Sequence, residues 1–251
     1  MEKTKAEVLR YLGRRGQEVP EELDGLIEGC IALMREAASF RQAHLSFPVS
    51  RAEDGLFLLT GAGIPLRGKD IASHLSGCTQ AVLLAVTLGA GADALIRKWE
   101  RADLTRSLVL DACATQLIEE FCDEIERQIC AEAAASGLVS VPRFSPGYGD
   151  FPLDIQPRII EALNAGRAIG LTCTEHHILL PRKSVTALIG LSAQREASVP
   201  QPVSKCDGCS KSDTCISVSK SSVDEAAFVT RREGVDRPTS SKGSKNNEVY
   251  G

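Results

Sequence analysis

The chain has 251 residues, 43% apolar and 25% charged, which suits one large soluble domain or two small ones. Its formal net charge of -4 is the wrong sign for a nucleic-acid-binding face, and the longest apolar run, residues 81–86, is far too short for a membrane span. With aromatics at only 4%, the core has to be built mainly from Leu, Ile, Val and Ala. The start, Met-Glu-Lys-Thr, has no hydrophobic signal region, so a cytoplasmic protein is expected. Most of the nine cysteines are scattered singly and are expected as buried, reduced thiols.

The first expected element is a helix opening on a capping box, Thr4-Lys5-Ala6-Glu7, with Val8, Leu9 and Leu12 as its apolar stripe and Gly13 as its end. Pro20, Glu21 and Glu22 start a second helix, along which Leu23, Leu26, Ile27, Ile31 and Met34 repeat at helical spacing. Residues 1–45 therefore read as a helical segment. The texture changes at Phe47, and residues 56–60 read as a short strand closed by Gly61-Ala62-Gly63-Ile64-Pro65. A helix is expected over 69–75 and a buried strand over 81–88. Residues 92–135 follow as two helices broken near Asp103 and closed by Gly137. Residues 139–141 lead into a stretch too rich in Pro and Gly for regular structure. A short helix is then expected over 157–165 with Gly166 as its C-cap, and strands over 171–174 and 184–191.

Strands and helices do not alternate as a parallel fold requires, so the expected class is α+β with a mostly antiparallel sheet flanked by long helices. Residues 46–195 form the expected main domain and 196–216 a linker with a cysteine cluster. The Ser-, Lys- and Asp-rich residues 217–251 read as a disordered tail.

Arg143-Phe144-Ser145-Pro146-Gly147-Tyr148 carries the functional signal. Arginine presents a fork of donors suited to a carboxylate. Pro146 and Gly147 hold an irregular backbone with polar groups available to a ligand, and Tyr148 offers an aromatic face to a cation. On spacing alone, the same residues also read as a surface turn with an amphipathic Arg and Tyr.

This segment resembles the S-adenosylmethionine (SAM) binding loop of the activation domain of cobalamin-dependent methionine synthase, Arg-Pro-x-Pro-Gly-Tyr, with Phe144 in place of the first Pro. Leu171-Thr172 and the run Pro181-Arg182-Lys183-Ser184-Val185-Thr186-Ala187 are similar to the family's Leu-Thr and Pro-x-x-Ser-Val-Ser-Gly strand. Thr87-Leu88-Gly89 and residues 111–125 resemble the strand and long helix before the loop, so the likeness spans residues 1–192. It implies a stand-alone reactivation module. Such a module presents SAM to a cobalamin held by a partner, while an electron donor such as flavodoxin or ferredoxin reduces the cobalt. Methyl transfer then regenerates methylcobalamin. The resemblance gives Arg143 to the ligand's carboxylate, Ser145 and Gly147 to backbone contacts, and Tyr148 to the transferring methyl or the corrin. The family carboxylate that meets the SAM amino group falls on Thr115 in a gapless alignment; Glu119, one turn on along the same helix face, is the candidate. The chain has no Asp-x-His-x-x-Gly cobalamin motif, so the corrinoid protein has to be met in trans.

Cys206, Cys209 and Cys215 are spaced as a metal knuckle with a third thiolate, for zinc or an iron–sulfur cluster. Cys30, His44, His74 or an open position would complete it, and a reduced, exposed tail is the plain alternative. His176 and His177 point to opposite faces of a strand and cannot share a metal. Gly61-x-Gly63 lacks the third glycine of a dinucleotide fingerprint. Asp150 and Asp154 beside the loop are open to a part in ligand binding, with solvated turn acids as the commoner case. Two further functions fit the same residues: reactivation of a different corrinoid methyltransferase, or a metal-stabilised binding module.

Overall fold

The computed structural model describes residues 2–14, 18–52 and 55–193. It opens with two helices, α1 (Glu2–Tyr11) and α2 (Glu21–Ala37). Helix α2 starts after Pro20 with Glu21, Glu22 and Asp24 in its first turn, where acids meet the positive end of the helix dipole. Helix α1 differs from its expected start. It is already helical at Glu2, so Thr4 lies inside the first turn, and its hydroxyl donates to Glu120 Oε1 at 2.6 Å instead of capping.

The helices end before residue 45, because Arg41–Arg51 forms strand β1. Then come β2 (Phe57–Leu59), β3 (Ile64–Leu66), α3 (Lys69–His74) and β4 (Gln80–Thr87). Residues 64 and 65, read from sequence as part of a turn, belong to β3. Helices α4 (Ala90–Glu100) and α5 (Leu104–Ala135) are divided at Asp103, whose carboxylate accepts the Arg106 N–H at 3.0 Å as an N-cap. Strand β5 (Val139–Ser140) precedes the irregular loop. After a 3-10 turn at Leu153–Ile155 come α6 (Gln156–Ala162), α7 (Ala165–Ile169), β6 (Thr172–Cys173), β7 (Leu179–Leu180) and β8 (Ser184–Ser192). The single helix expected over 157–165 is divided: α6 ends at its C-cap Leu163, and Gly166 lies within α7, whose own C-cap is Gly170.

Six strands form one sheet in the order β3-β2-β1-β4-β8-β5, with every neighbouring pair antiparallel. The α+β class with an antiparallel sheet is as the sequence implied. Strand β4 explains why its sequence is continuously apolar. Val82, Leu84 and Val86 face a core shared with α1, α2, α4 and α5, while Ala81, Leu83 and Ala85 face a second core with α3, α6, α7 and Phe151. Among the described residues, no helix is long and apolar enough to cross a membrane.

Gly190 of β8 leaves no room for a side chain. A Cβ built there would lie 2.6 Å from Cys78 Sγ, 2.8 Å from Leu75 Cδ2 and 2.9 Å from Val141 Cγ2. Gly190→Ala is expected to cost about 1–3 kcal/mol through overpacking, read by urea unfolding. A loss below about 0.5 kcal/mol would show that these side chains move aside freely.

Candidate functional site

Helix α5 places Glu119, Asp123 and Glu126 four and then three residues apart, so their carboxylates line one face. The loop after β5 delivers Arg143 to that face. Its course is held by β8: the Val141 N–H donates to the Gly190 carbonyl, and Phe144 and Leu188 exchange both backbone hydrogen bonds. Arg143 is thereby driven inward, with its side chain only 5% exposed.

The guanidinium meets three carboxylates there. Nη2 donates to Glu119 at 2.8 Å and Nη1 to Asp123 at 2.6 Å; Nη1 also contacts Glu126. Glu126 accepts the Arg143 backbone N–H as well, at 2.8 Å. Burial on its own would lower the pKa of Arg143. The hydrogen bond to Asp123 and the negative charges of Glu126 and Asp123 outweigh it and raise the pKa, so the group stays charged. One cation faces three anions, and Glu119 and Asp123, 35% and 51% exposed, are open to a ligand.

Two turns back along α5, Lys183 at the foot of β8 pairs with Asp111 at 2.9 Å and donates to the Thr115 hydroxyl at 2.9 Å. Glu119 and Thr115, the two positions compared from sequence, therefore have different partners: Glu119 touches the loop arginine and Thr115 touches Lys183.

Ser145 is buried, and its carbonyl accepts the Tyr148 N–H at 3.1 Å. Gly147 sits at φ +92°, a left-handed conformation that a side chain would strain, and donates its N–H to Phe151 O at 2.8 Å. These bonds turn Tyr148 outward, 44% exposed, with its ring edge-to-face against Phe144 at 5.8 Å. Arg143, Glu119, Ser145, Gly147 and Tyr148 are thus joined by direct contacts or a tight turn. Asp123 and Glu126 were missed in the sequence, where acids on an exposed-looking helix read as solvated; their i, i+4, i+7 spacing was the available signal.

Asp150 is more than a turn acid. Its carboxylate accepts the Lys69 N–H at 2.7 Å and the Asp70 N–H at 3.0 Å, capping α3, while Asp70 accepts the Asp150 N–H at 3.1 Å. Asp154 pairs with Arg67 at 2.8 Å.

The other sequence candidates fare differently. Cys206, Cys209 and Cys215 lie outside the described residues, and among the described residues no group of three or more His, Cys, Asp or Glu is arranged to hold a metal. Cys30 is buried in the helical core, and His44 Nδ1 lies 2.9 Å from Gln42 Oε1. His177 falls in the β6–β7 turn at φ +61°.

The fold is that of the MetH reactivation domain. A solved structure, described as "Crystal Structure of the MetH Reactivation Domain bound to AdoHcy", superposes with a TM-score of 0.59 over 79% of this chain and 77% of that one, at 17% sequence identity. No protein-family model and no curated protein sequence matches the chain.

Arg143→Met would leave three carboxylates without their cation. A loss of about 3 kcal/mol is expected in chemical denaturation, the low end for a broken buried pair because two of the acids reach solvent. A loss under about 1 kcal/mol would remove the cluster from the list of stabilising contacts.

The Asp150 pKa is lowered below its ordinary value of 3.8, first by the Lys69 N–H and then by the Asp70 N–H. Its stabilisation is fully present above pH 3.8 and is lost as pH falls through the lower folded value. Asp150→Asn should therefore flatten the acid limb of a thermal-midpoint profile below about pH 4. An unchanged limb would dismiss the clasp as its source.

Proposed function

We propose that the chain binds SAM and serves as the reactivation module of a cobalamin-dependent methionine synthase. It would support reductive methylation of cob(II)alamin to methylcobalamin on a partner protein. The observation that carries this reading is the Arg143–Glu119 ion pair, 2.8 Å long, on the same loop as an outward-facing Tyr148 in a fold shared with a domain crystallised with AdoHcy.

The donor set fits a zwitterion with an added positive charge. An amino-acid end can enter the pair by exchange: its ammonium takes Glu119, and its carboxylate takes the guanidinium nitrogen so released. The surplus negative charge of Asp123 and Glu126 favours a cationic ligand over a neutral one. The Tyr148 ring gives the sulfonium an aromatic face, and the Ser145 carbonyl keeps a second lone pair for the ligand. SAM, when bound, supplies the methyl group that a reduced corrinoid receives. The chain's part is binding and orientation, with the corrinoid held by a partner and reduced by a flavodoxin- or ferredoxin-type donor.

The test is isothermal calorimetry with SAM on the wild type, Glu119→Gln and Tyr148→Ala. Arg143 is a poor probe here because replacing it disturbs the fold. Saturable wild-type binding is expected, weakened in Glu119→Gln by about 1.5–3 kcal/mol, the size of a charge-assisted contact. Absence of wild-type binding, with or without a corrinoid protein present, would leave the fold alone. Methylation of a different corrinoid protein in place of methionine synthase would keep the chemistry and change the partner.

A further inference from the structure

Helix α3 runs beside the ligand loop and holds it at both ends. At the helix start, Asp150 and Asp70 exchange hydrogen bonds with each other's backbone. At its last residue, His74 Nε2 lies 2.7 Å from the carbonyl oxygen of Pro142. A carbonyl only accepts, so the imidazole carries its proton on Nε2 and donates. The same ring lies 4.8 Å from the Phe144 ring, inclined at 35°. One side chain therefore touches the residue before Arg143 and the residue after it. Phe144 passes the contact on, meeting the Tyr148 ring edge-to-face at 5.8 Å and the Phe151 ring at 6.2 Å.

We propose that His74 is a positioning residue for the ligand loop, fixing Pro142 with its Nε2–H and Phe144 with its ring. Arg143 is then aimed at the α5 carboxylates and Tyr148 at solvent. Two features of the surroundings favour this role. Burial lowers the pKa of His74, partly offset by the Pro142 carbonyl and by Glu126, which keeps the imidazole neutral and its single N–H committed to one acceptor. The loop's other ties fall on the neighbours of Pro142: Arg143 is held to α5 by its own N–H and guanidinium. The loop backbone is tied to β8 at Val141 and Phe144, and the Pro142 between them has no N–H to give. The His74 bond is what fixes the carbonyl of that intervening residue. The role in ligand binding rests on the SAM reading above; the role in loop geometry does not.

The test uses the full chain with His74→Ala, His74→Gln and His74→Phe. Glutamine places an amide N–H near the site of Nε2–H, whereas phenylalanine keeps the ring and loses the donor. Two readouts are taken: hydrogen exchange of residues 142–151 without ligand, and the SAM dissociation constant. Exchange in the loop is expected to speed up about ten-fold in His74→Ala, with β4 and β8 unchanged and His74→Gln restored to within about three-fold. SAM affinity should fall about ten-fold in His74→Ala and recover in His74→Gln, the pattern of a displaced loop rather than a lost contact. Unchanged loop exchange in His74→Ala, or a glutamine variant as loose as the alanine one, would overturn the proposal. Should the alanine variant unfold, the glutamine and phenylalanine variants decide, with a tighter loop in phenylalanine counting against it. If the wild type binds no SAM, the functional reading fails, and the exchange data still judge His74.

Discussion

A guanidinium shielded from water has to be surrounded by acceptors, and much of this structure follows from meeting that demand at Arg143. Glu119, Asp123 and Glu126 reach it only because α5 keeps one helical register past all three, and α5 begins where Asp103 caps it. The loop reaches it only because Phe144 bridges to Leu188 in β8. Sheet register, helix register and loop path thus converge on a single side chain. The same cluster that makes the loop stable carries more negative than positive charge, which is the property the proposed ligand would use.

The site sits where two cores meet. The α1, α2, α4 and α5 layer backs one face of β4 and β8, and the α3, α6 and α7 layer backs the other. The carboxylates come from the first layer, while the clasp on the loop's far side comes from α3 in the second. Gly190 lies against the second layer, where Leu75, Cys78 and Val141 leave no room for a side chain.

Long periodic elements were legible in the sequence. The apolar run of β4, the break at Asp103 and the start of α2 behind Pro20 all depend on local patterns that burial does not override. What escaped was set by distant contacts. Strand β1 is exposed along much of its length and carries Pro48, so it shows no clean alternation. Thr4 has the chemistry of a cap, but Glu120, 116 residues away, takes its hydroxyl. Gly166 looked like the end of one helix, but the stretch divides at Leu163 into α6 and α7, and Gly170 in the left-handed conformation ends the second. The loop itself was recognisable from Arg143, Pro146, Gly147 and Tyr148, whereas the occupants of Arg143's fork were not. The spacing of Glu119, Asp123 and Glu126 puts them on one helix face, but only the distant loop arginine separates that face from a solvated one.

The clasp between α3 and the loop joins positions 68 to 81 residues apart in the chain. Each of these contacts closes a large loop that contains β4 and α5, and so carries a substantial closure entropy. That entropy disfavours early closure of the clasp on this loop as the chain folds. A chain stalled short of β8 has its carboxylate row in place on α5 and lacks the strand that steers Arg143 onto it. Such an intermediate exposes a strip of unneutralised acid, so its lifetime should respond to ionic strength while the finished protein, with that strip partly covered, responds less.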